Sequence, residues 1–221
     1  MNEEKKKKSN LELITVILLG ITAVATGWAS WQGSMHGSLQ SQKYTDATRL
    51  TAQANADWSD ATNRMSQDMN IWNQIIGLNI EHAFALEKGN SVDVEKFEWQ
   101  MEMIMANNVG EDTEFSKAIE WAGEQEEYAS PFDNEEFIEH YFEDASALLK
   151  EADQIMEEGN KNSANGDNQG LVSVIYAVVL FMLGIMSPFK EERTKKILLV
   201  ISLVGFLAAT VFMLTIPVVL P

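Results

Sequence analysis

The sequence predicts an all-α fold: three transmembrane helices plus an extracytoplasmic antiparallel helical bundle whose first and last helices extend from the membrane. Three observations predict it. Residues 13–31, 171–189 and 197–220 are apolar stretches without a charged residue. The residues between the first two stretches are polar, strongly acidic and spaced as helices. The basic residues gather at the short ends of the apolar stretches.

A helix rises about 1.5 Å per residue, so about 20 apolar residues cross a hydrocarbon core of about 30 Å. Each stretch meets that length. Orientation follows from Lys and Arg, which concentrate in short cytoplasmic segments. Lys5, Lys6, Lys7 and Lys8 fall in segment 1–12, and Lys190, Arg193, Lys195 and Lys196 fall in the loop 190–196. Both clusters are satisfied with the N-terminus and the 190–196 loop cytoplasmic, and with 32–170 and the C-terminus outside. Trp28 and Trp31 stand at the expected outer interface, where an apolar ring with one polar N–H is favoured. A cleaved signal peptide is the competing reading, with Leu13 to Leu19 as its apolar core and Ala23-Val24-Ala25 as its cleavage site. The apolar stretch continues past that site to the tryptophans, which suits an anchor.

Of the 16 Lys and Arg and the 33 Asp and Glu in the chain, residues 32–169 hold 8 and 28, a net charge of −20. Such a surface repels nucleic acid and anionic headgroups, and attracts cations or a basic protein partner. There is no cysteine, which excludes disulfides, thiolate zinc sites and cysteine nucleophiles together.

Within the acidic segment, residues 39–88 predict a long helix. Ala47, Trp58, Met69 and Ile80, with Leu50, Ala61, Trp72 and Ala83 beside them, repeat every eleven residues, the period of a nearly straight or slightly right-handed stripe. This helix continues the first span, with Gly33 and Gly37 as a bend. Gly89-Asn90-Ser91 ends it. A second helix over 92–106 carries Val94, Phe97, Met101, Ile104 and Met105 on one face and breaks at 107–110. A third covers 113–128, with Phe115, Ile119 and Ala122 inward. Ser130-Pro131 stops it, because the residue before proline disfavours the α region. Asp133 or Asn134 caps a fourth, with Phe137, Tyr141, Ala145, Leu148, Leu149, Ala152 and Ile155 inward. It leads through the polar stretch 159–170 to the second span, which Pro188 ends. Pro217 falls in the last turns of the third span. Short connections favour antiparallel neighbours.

No catalytic, cofactor-binding or metal-binding residue stands out, and no cofactor is implied. His140 shares a helix face with Glu136 and Asp144, as metal ligands would, but a solvated acidic face has the same pattern. The Glu-x-x-His signature of di-iron bundles is absent, since Phe137 and Asn79 stand three before His140 and His82. His36 and His82 read as surface or interface residues. Trp58, Trp72, Trp99 and Trp121 could line a pocket, though bundle-core packing is the commoner use. The spans contain no Asp, Glu, Lys, Arg or His, which argues against a coupled transporter. Gly20, Ala23 and Gly27, and Gly205 with Ala209, form small-residue faces that let helices approach within one chain or between copies.

The run Thr22 to Gln32, TAVATGWASWQ, followed by Lys43-Tyr44 and then Ala47 to Leu50, resembles a group of uncharacterised prokaryotic three-span inner-membrane proteins with a helical extracytoplasmic domain between spans one and two. In these a first span ends in an A-T-A-W-S-x-Y-Q-like run, and a long helix opens with K-Y-x-x-A-x-x-L-R. Asp167-Asn168, the second span through Ser187-Pro188-Phe189, the basic loop and Thr215-Ile216-Pro217-Val218 are similar to that group's ending. The likeness covers the two terminal thirds. The middle, about 89–132, departs from the pattern, and Trp31 stands where the group has Tyr. The resemblance implies an intact first span and a prokaryotic cytoplasmic (inner) membrane, and transfers no site residue.

Two functions fit. The first is a non-enzymatic membrane protein acting through its acidic helical bundle as an interaction, sensing or scaffold module, self-associating as a homo-oligomer. The second is a homo-oligomeric channel lined by Thr15, Thr22, Thr26, Ser173, Ser202 or Thr210, with the acidic domain concentrating cations.

Overall fold

A computed structural model describes residues 2–125 and 128–220, with side chains described from residue 10 onward. The side chains of Lys5 to Lys8 therefore lie outside the described residues. The described chain is helical throughout, without a strand. Five α-helices follow in order: α1 Asn2–Glu87, α2 Ser91–Ile104, α3 Glu114–Gly123, α4 Glu135–Gly184 and α5 Glu192–Thr215. Three of them, α1, α4 and α5, contain segments long and apolar enough to cross a membrane. The chain divides into two compact units. One is built from Met1–Ala47 with Asp153–Pro221, the other from Thr48–Ala152.

Helix α1 runs through Gly33 and Gly37 without interruption, continuing from the first span as expected. It ends where Gly89 takes a left-handed conformation (φ 68°). There the Gly89 and Asn90 amides fold back onto the Leu86 and Ala85 carbonyls at 3.1 and 3.0 Å. Glycine carries no Cβ penalty in that conformation. Asn90 then caps α2 by accepting from the Asp93 amide. Helix α2 widens into a π turn, Met105–Val109, before Gly110 (φ 79°) breaks it. Thr113 caps α3, accepting from the Ser116 amide at 3.0 Å. Helix α3 stops at Gly123, earlier than the expected 128, and residues 126 and 127 of the expected last turn are outside the described residues. A 3-10 turn, Pro131–Asp133, carries a capping box between Ser130 and Asp133. Asn134, rather than Asp133, caps α4 by accepting from the Phe137 amide at 3.2 Å.

The expected polar connection 159–170 is not a break. Helix α4 passes straight through it. Glycine inside a helix costs roughly 0.5–1 kcal/mol relative to alanine, so its recurrence at 159 and 166 needs a reason. A Cβ on Gly166 would meet the Gly33 carbonyl oxygen at 3.4 Å and the His36 Cβ at 3.5 Å, and one on Gly159 would meet the Tyr44 ring at 2.6 Å. At Gly159 and Gly166 α4 lies in direct contact with α1.

Both remaining helix ends are set by proline. Pro188 has no N–H to offer the Gly184 carbonyl, and α4 ends at Gly184, five residues before the expected 189. Pro217 likewise cannot bond to Met213. It forces Ile216 into an extended conformation (φ −89°, ψ 130°), so α5 ends at Thr215. Residues 216–220 are thus a non-helical strap, not the last turns of a span.

In the three-helix unit, Ala29, Val172, Tyr176, Ala209 and Ile216 form one core cluster. Leu18, Val179, Leu183 and Met186 form another. In the other unit, Ile75, Val109, Phe115, Ala118 and Phe137 are buried, with Trp72, Phe132 and Tyr141 packed against them. Phe115 stacks on Phe137 with ring centroids 5.8 Å apart.

The eleven-residue stripe is buried only in part: its Ala47 and Ala61 are fully buried, while Trp58 is 46% exposed and Ile80 66%. Between residues 47 and 75 the buried positions are Ala47, Ala54 and Ala61, seven apart, and then Ile75. On α4, Ala145 and Ala152 keep the same interval. A seven-residue spacing is the period of a left-handed supercoil seam, here made of the smallest side chain that still packs.

Candidate functional site

The histidines and tryptophans singled out from sequence go to different places. His140 is exposed, with Glu143 as its nearest carboxylate at 3.9 Å. Among the described residues no group of three or more His, Asp or Glu side chains is gathered as a metal would require. His82 joins α1 to α2 through Glu98 at 3.1 Å. Trp72 packs against the core, Trp58 lies on Phe142 with centroids 4.4 Å apart, and Trp99 is exposed.

The hydroxyls proposed as pore lining turn inward or back on their own helices. Thr22 and Ser202 are fully buried in the three-helix unit. Thr15, Thr22, Thr26 and Thr210 each donate to the carbonyl four residues earlier, a bond that satisfies a hydroxyl in an apolar setting. The Tyr176 hydroxyl, also buried, is 2.9 Å from Thr210 Oγ1.

The middle unit contains a cleft of about 480 Å³. Phe115, Phe137 and Tyr141 form one wall, and Arg64, Asp68, Glu114 and Asp144 are among its charged lining. Tyr141 donates to Asp68, and burial, then that bond, holds the phenol well above its ordinary range. A second, shallower groove of about 460 Å³ lies on the α1–α2 hairpin. It is lined by Gln74, Gly77, Leu78, Trp99, Gln100, Met103 and Ile104.

The densest buried polar constellation is elsewhere, in the three-helix unit, where the strap crosses α1 and α4. Gln32 is fully buried and pairs with one residue of the strap twice. Its Nε2 donates to the Val219 carbonyl at 3.0 Å, and its Oε1 accepts from the Val219 amide at 2.9 Å. One turn on, His36 is 1% exposed. Its Nδ1 is 3.0 Å from Asn162 Oδ1 and its Nε2 is 2.9 Å from the Pro217 carbonyl oxygen. Asn162 also donates from Nδ2 to the Glu158 carbonyl at 3.0 Å. Gln169 is equally buried, and its Oε1 has no partner in the structure. A Cβ on Gly33 would meet the Gln169 Cβ at 3.5 Å, so these side chains share one packed layer.

No protein family matches the chain, and no curated protein or solved structure is similar to it.

Two further pairs flank this layer along α1 and α4. Lys43 and Glu158 form an ion pair at 2.6 Å, and the Tyr44 hydroxyl donates to Asn160 at 2.6 Å. The hydrogen bond to Glu158, then its charge, raises the Lys43 ammonium above its ordinary range, and the same contacts lower the Glu158 carboxyl. Sequence reading left His36 as a surface or interface residue and missed the layer. The available signals were a glutamine at each edge of the apolar runs, Gln32 and Gln169, and a glycine beside each crossing.

Proposed function

We propose that the chain is a non-enzymatic, three-span protein of a prokaryotic inner membrane, whose acidic middle unit lies outside the cytoplasm and docks a basic protein partner. The observation that carries this reading is the hairpin groove around Trp99. Trp99 is 61% exposed on a hydrophilic unit, and an exposed apolar site rimmed by polar groups is the usual mark of a docking surface. Beside the groove α2 carries three exposed glutamates, Glu95, Glu98 and Glu102, against one exposed lysine, Lys96, and Glu98 is shared with His82. Charge complementarity therefore selects a partner carrying lysine or arginine around an apolar anchor. Orientation rests on the basic 190–196 loop and N-terminal lysines. Self-association is supported by Gly20, Ala23 and Gly27: a Cβ on either glycine would meet nothing within 4 Å and Ala23 is exposed, which leaves a small-residue face on α1.

Photocrosslinking from position 99 in native membranes tests the docking. A basic protein is captured by the unmodified rim, and capture falls when Glu98 and Glu102 are both replaced by Lys. Capture that ignores the charge reversal, or crosslinks confined to copies of the chain, would contradict it. Native mass spectrometry of the extracted complex adds a second arm: a closed ring of copies without partner would turn the reading toward a pore.

A further inference from the structure

We propose that His36 is a proton-operated latch that docks the C-terminal strap onto the three-helix unit only while its ring is doubly protonated. The inference goes beyond the docking surface and is independent of it. It follows from counting donors and acceptors around one buried ring.

Both ring nitrogens of His36 face oxygen atoms, Asn162 Oδ1 at 3.0 Å and the Pro217 carbonyl at 2.9 Å. A backbone carbonyl only accepts. The Asn162 amide has its nitrogen committed to the Glu158 carbonyl at 3.0 Å, which turns its oxygen to the ring. Turning the amide over would set Oδ1 against the Glu158 carbonyl oxygen, exchanging one acceptor–acceptor contact for another. Neutral imidazole has one N–H and one lone pair, so it leaves one such contact somewhere in the chain Pro217–His36–Asn162–Glu158. The imidazolium has two N–H donors and leaves none. At 1% exposure no bulk water reaches the ring to relieve the mismatch.

The groups facing the ring leave the count unchanged. From α4 the nearest titratable side chains are Glu158, paired with Lys43, and Lys161, paired with Glu157 at 2.8 Å. Asp167 is exposed. The strap residues 216–220 carry no titratable side chain, and Pro221 lies outside the described residues. On α1 the nearest titratable side chains are Lys43 and Tyr44, about two turns further on. Among the described residues no carboxylate pairs with His36.

The direction follows from linkage. Docking that takes up a proton is favoured at low pH and weakens as pH rises, with the docked-to-released ratio falling by up to about tenfold per pH unit. Releasing His36 from Pro217 leaves the two Gln32 bonds to Val219 and the buried Ile216 as holds on the strap, so proton loss outside the spans loosens the strap beyond α5.

The chain's lack of cysteine allows one clean label. Leu220→Cys, exposed on the strap, is spin-labelled on the full chain in lipid nanodiscs, and label mobility is followed from about pH 5 to about pH 9, bracketing the histidine range. The expected result is a single-proton transition to a mobile strap on the alkaline side. His36→Gln abolishes the transition, while Asn162→Asp, which sets a carboxylate against the ring, moves it to higher pH. Hydrogen exchange at the Val219 amide of the unlabelled chain, corrected for intrinsic pH dependence, follows the same transition. Mobility that is flat with pH in the parent chain, a transition that survives His36→Gln, or one that Asn162→Asp does not move would overturn the latch.

Discussion

The two units solve the same packing problem with opposite materials. The middle unit fills its interior with large rings: Phe115, Phe132, Phe137 and Tyr141 lie with successive centroids 4.9 to 6.1 Å apart. The three-helix unit brings its helices together by leaving side chains out, with Gly33 against Gly166, Gly159 under Tyr44 and Gly205 under Val179. It also buries polar groups, Gln32, His36 and Gln169, where the middle unit's core is apolar. A core of rings gains from the apolar area it removes from water. A seam of glycine gains from close approach and from hydrogen bonds that close approach permits, which suits segments whose outer faces are apolar already. The two units should therefore fail differently when altered.

The largest expected effect is in the ring cluster. Phe137→Ala leaves a cavity among three rings and should cost about 3–5 kcal/mol, read as a lowered unfolding midpoint of the middle-unit signal in detergent. In the glycine seam the damaging change is the opposite one, adding atoms. Gly159→Ala places a methyl group 2.6 Å from the Tyr44 ring and should cost about 1–3 kcal/mol. Gly33→Ala, whose Cβ would stand at 3.5 Å from its neighbours, should be nearly silent in the same thermal scan. If the two glycine variants behaved alike, close approach at 159 would not be what the glycine is for. Gln32→Leu removes both bonds to Val219 and leaves its amide unpaired, a loss of about 1–3 kcal/mol confined to strap docking. It is read by faster hydrogen exchange at Val219 with an unchanged overall unfolding midpoint.

The smallest effect is at the Lys43–Glu158 pair, which is solvated, so Lys43→Ala should leave the unfolding midpoint within error. Its pH signs are nonetheless defined. Glu158, lowered by its partner, contributes above the ordinary carboxylate range and loses that contribution as pH falls through its depressed value. Lys43, raised, keeps its contribution until pH climbs through its elevated value. A variant that destabilised strongly at neutral pH would show that the pair is more enclosed than its exposure indicates.

The contrast also explains what the sequence revealed. Apolar stretches long enough to span a bilayer, helix stops such as Gly89-Asn90-Ser91 and Ser130-Pro131, and the Asn134 cap are local signals, and they placed the helices. The ring cluster was partly legible because Phe115 and Phe137 stand at helical spacing with other apolar residues. The seam was not. The eleven-residue stripe takes in Ala47 and Ala61 but sets them beside Trp58, Met69 and Ile80, which are exposed, and leaves out Ala54 between them. The polar tract 159–170 read as a connection. Its glycines and asparagines look like a turn until Gly33, His36 and Tyr44 are known to lie against them. Pro217 was seen, but its consequence, a strap that turns back to Gln32 and His36, depends on residues some 180 positions away in the chain, which periodicity cannot register.

The most direct test of the account is the side of the membrane on which each segment lies. In the cysteine-free chain, Ser91→Cys in the middle unit and Thr194→Cys in the basic loop are each exposed to a membrane-impermeant thiol reagent in intact cells. The account predicts that position 91 labels at once and position 194 only after permeabilisation. Labelling at 194 without permeabilisation, or protection at 91, would contradict the three-span topology on which the proposed docking surface depends.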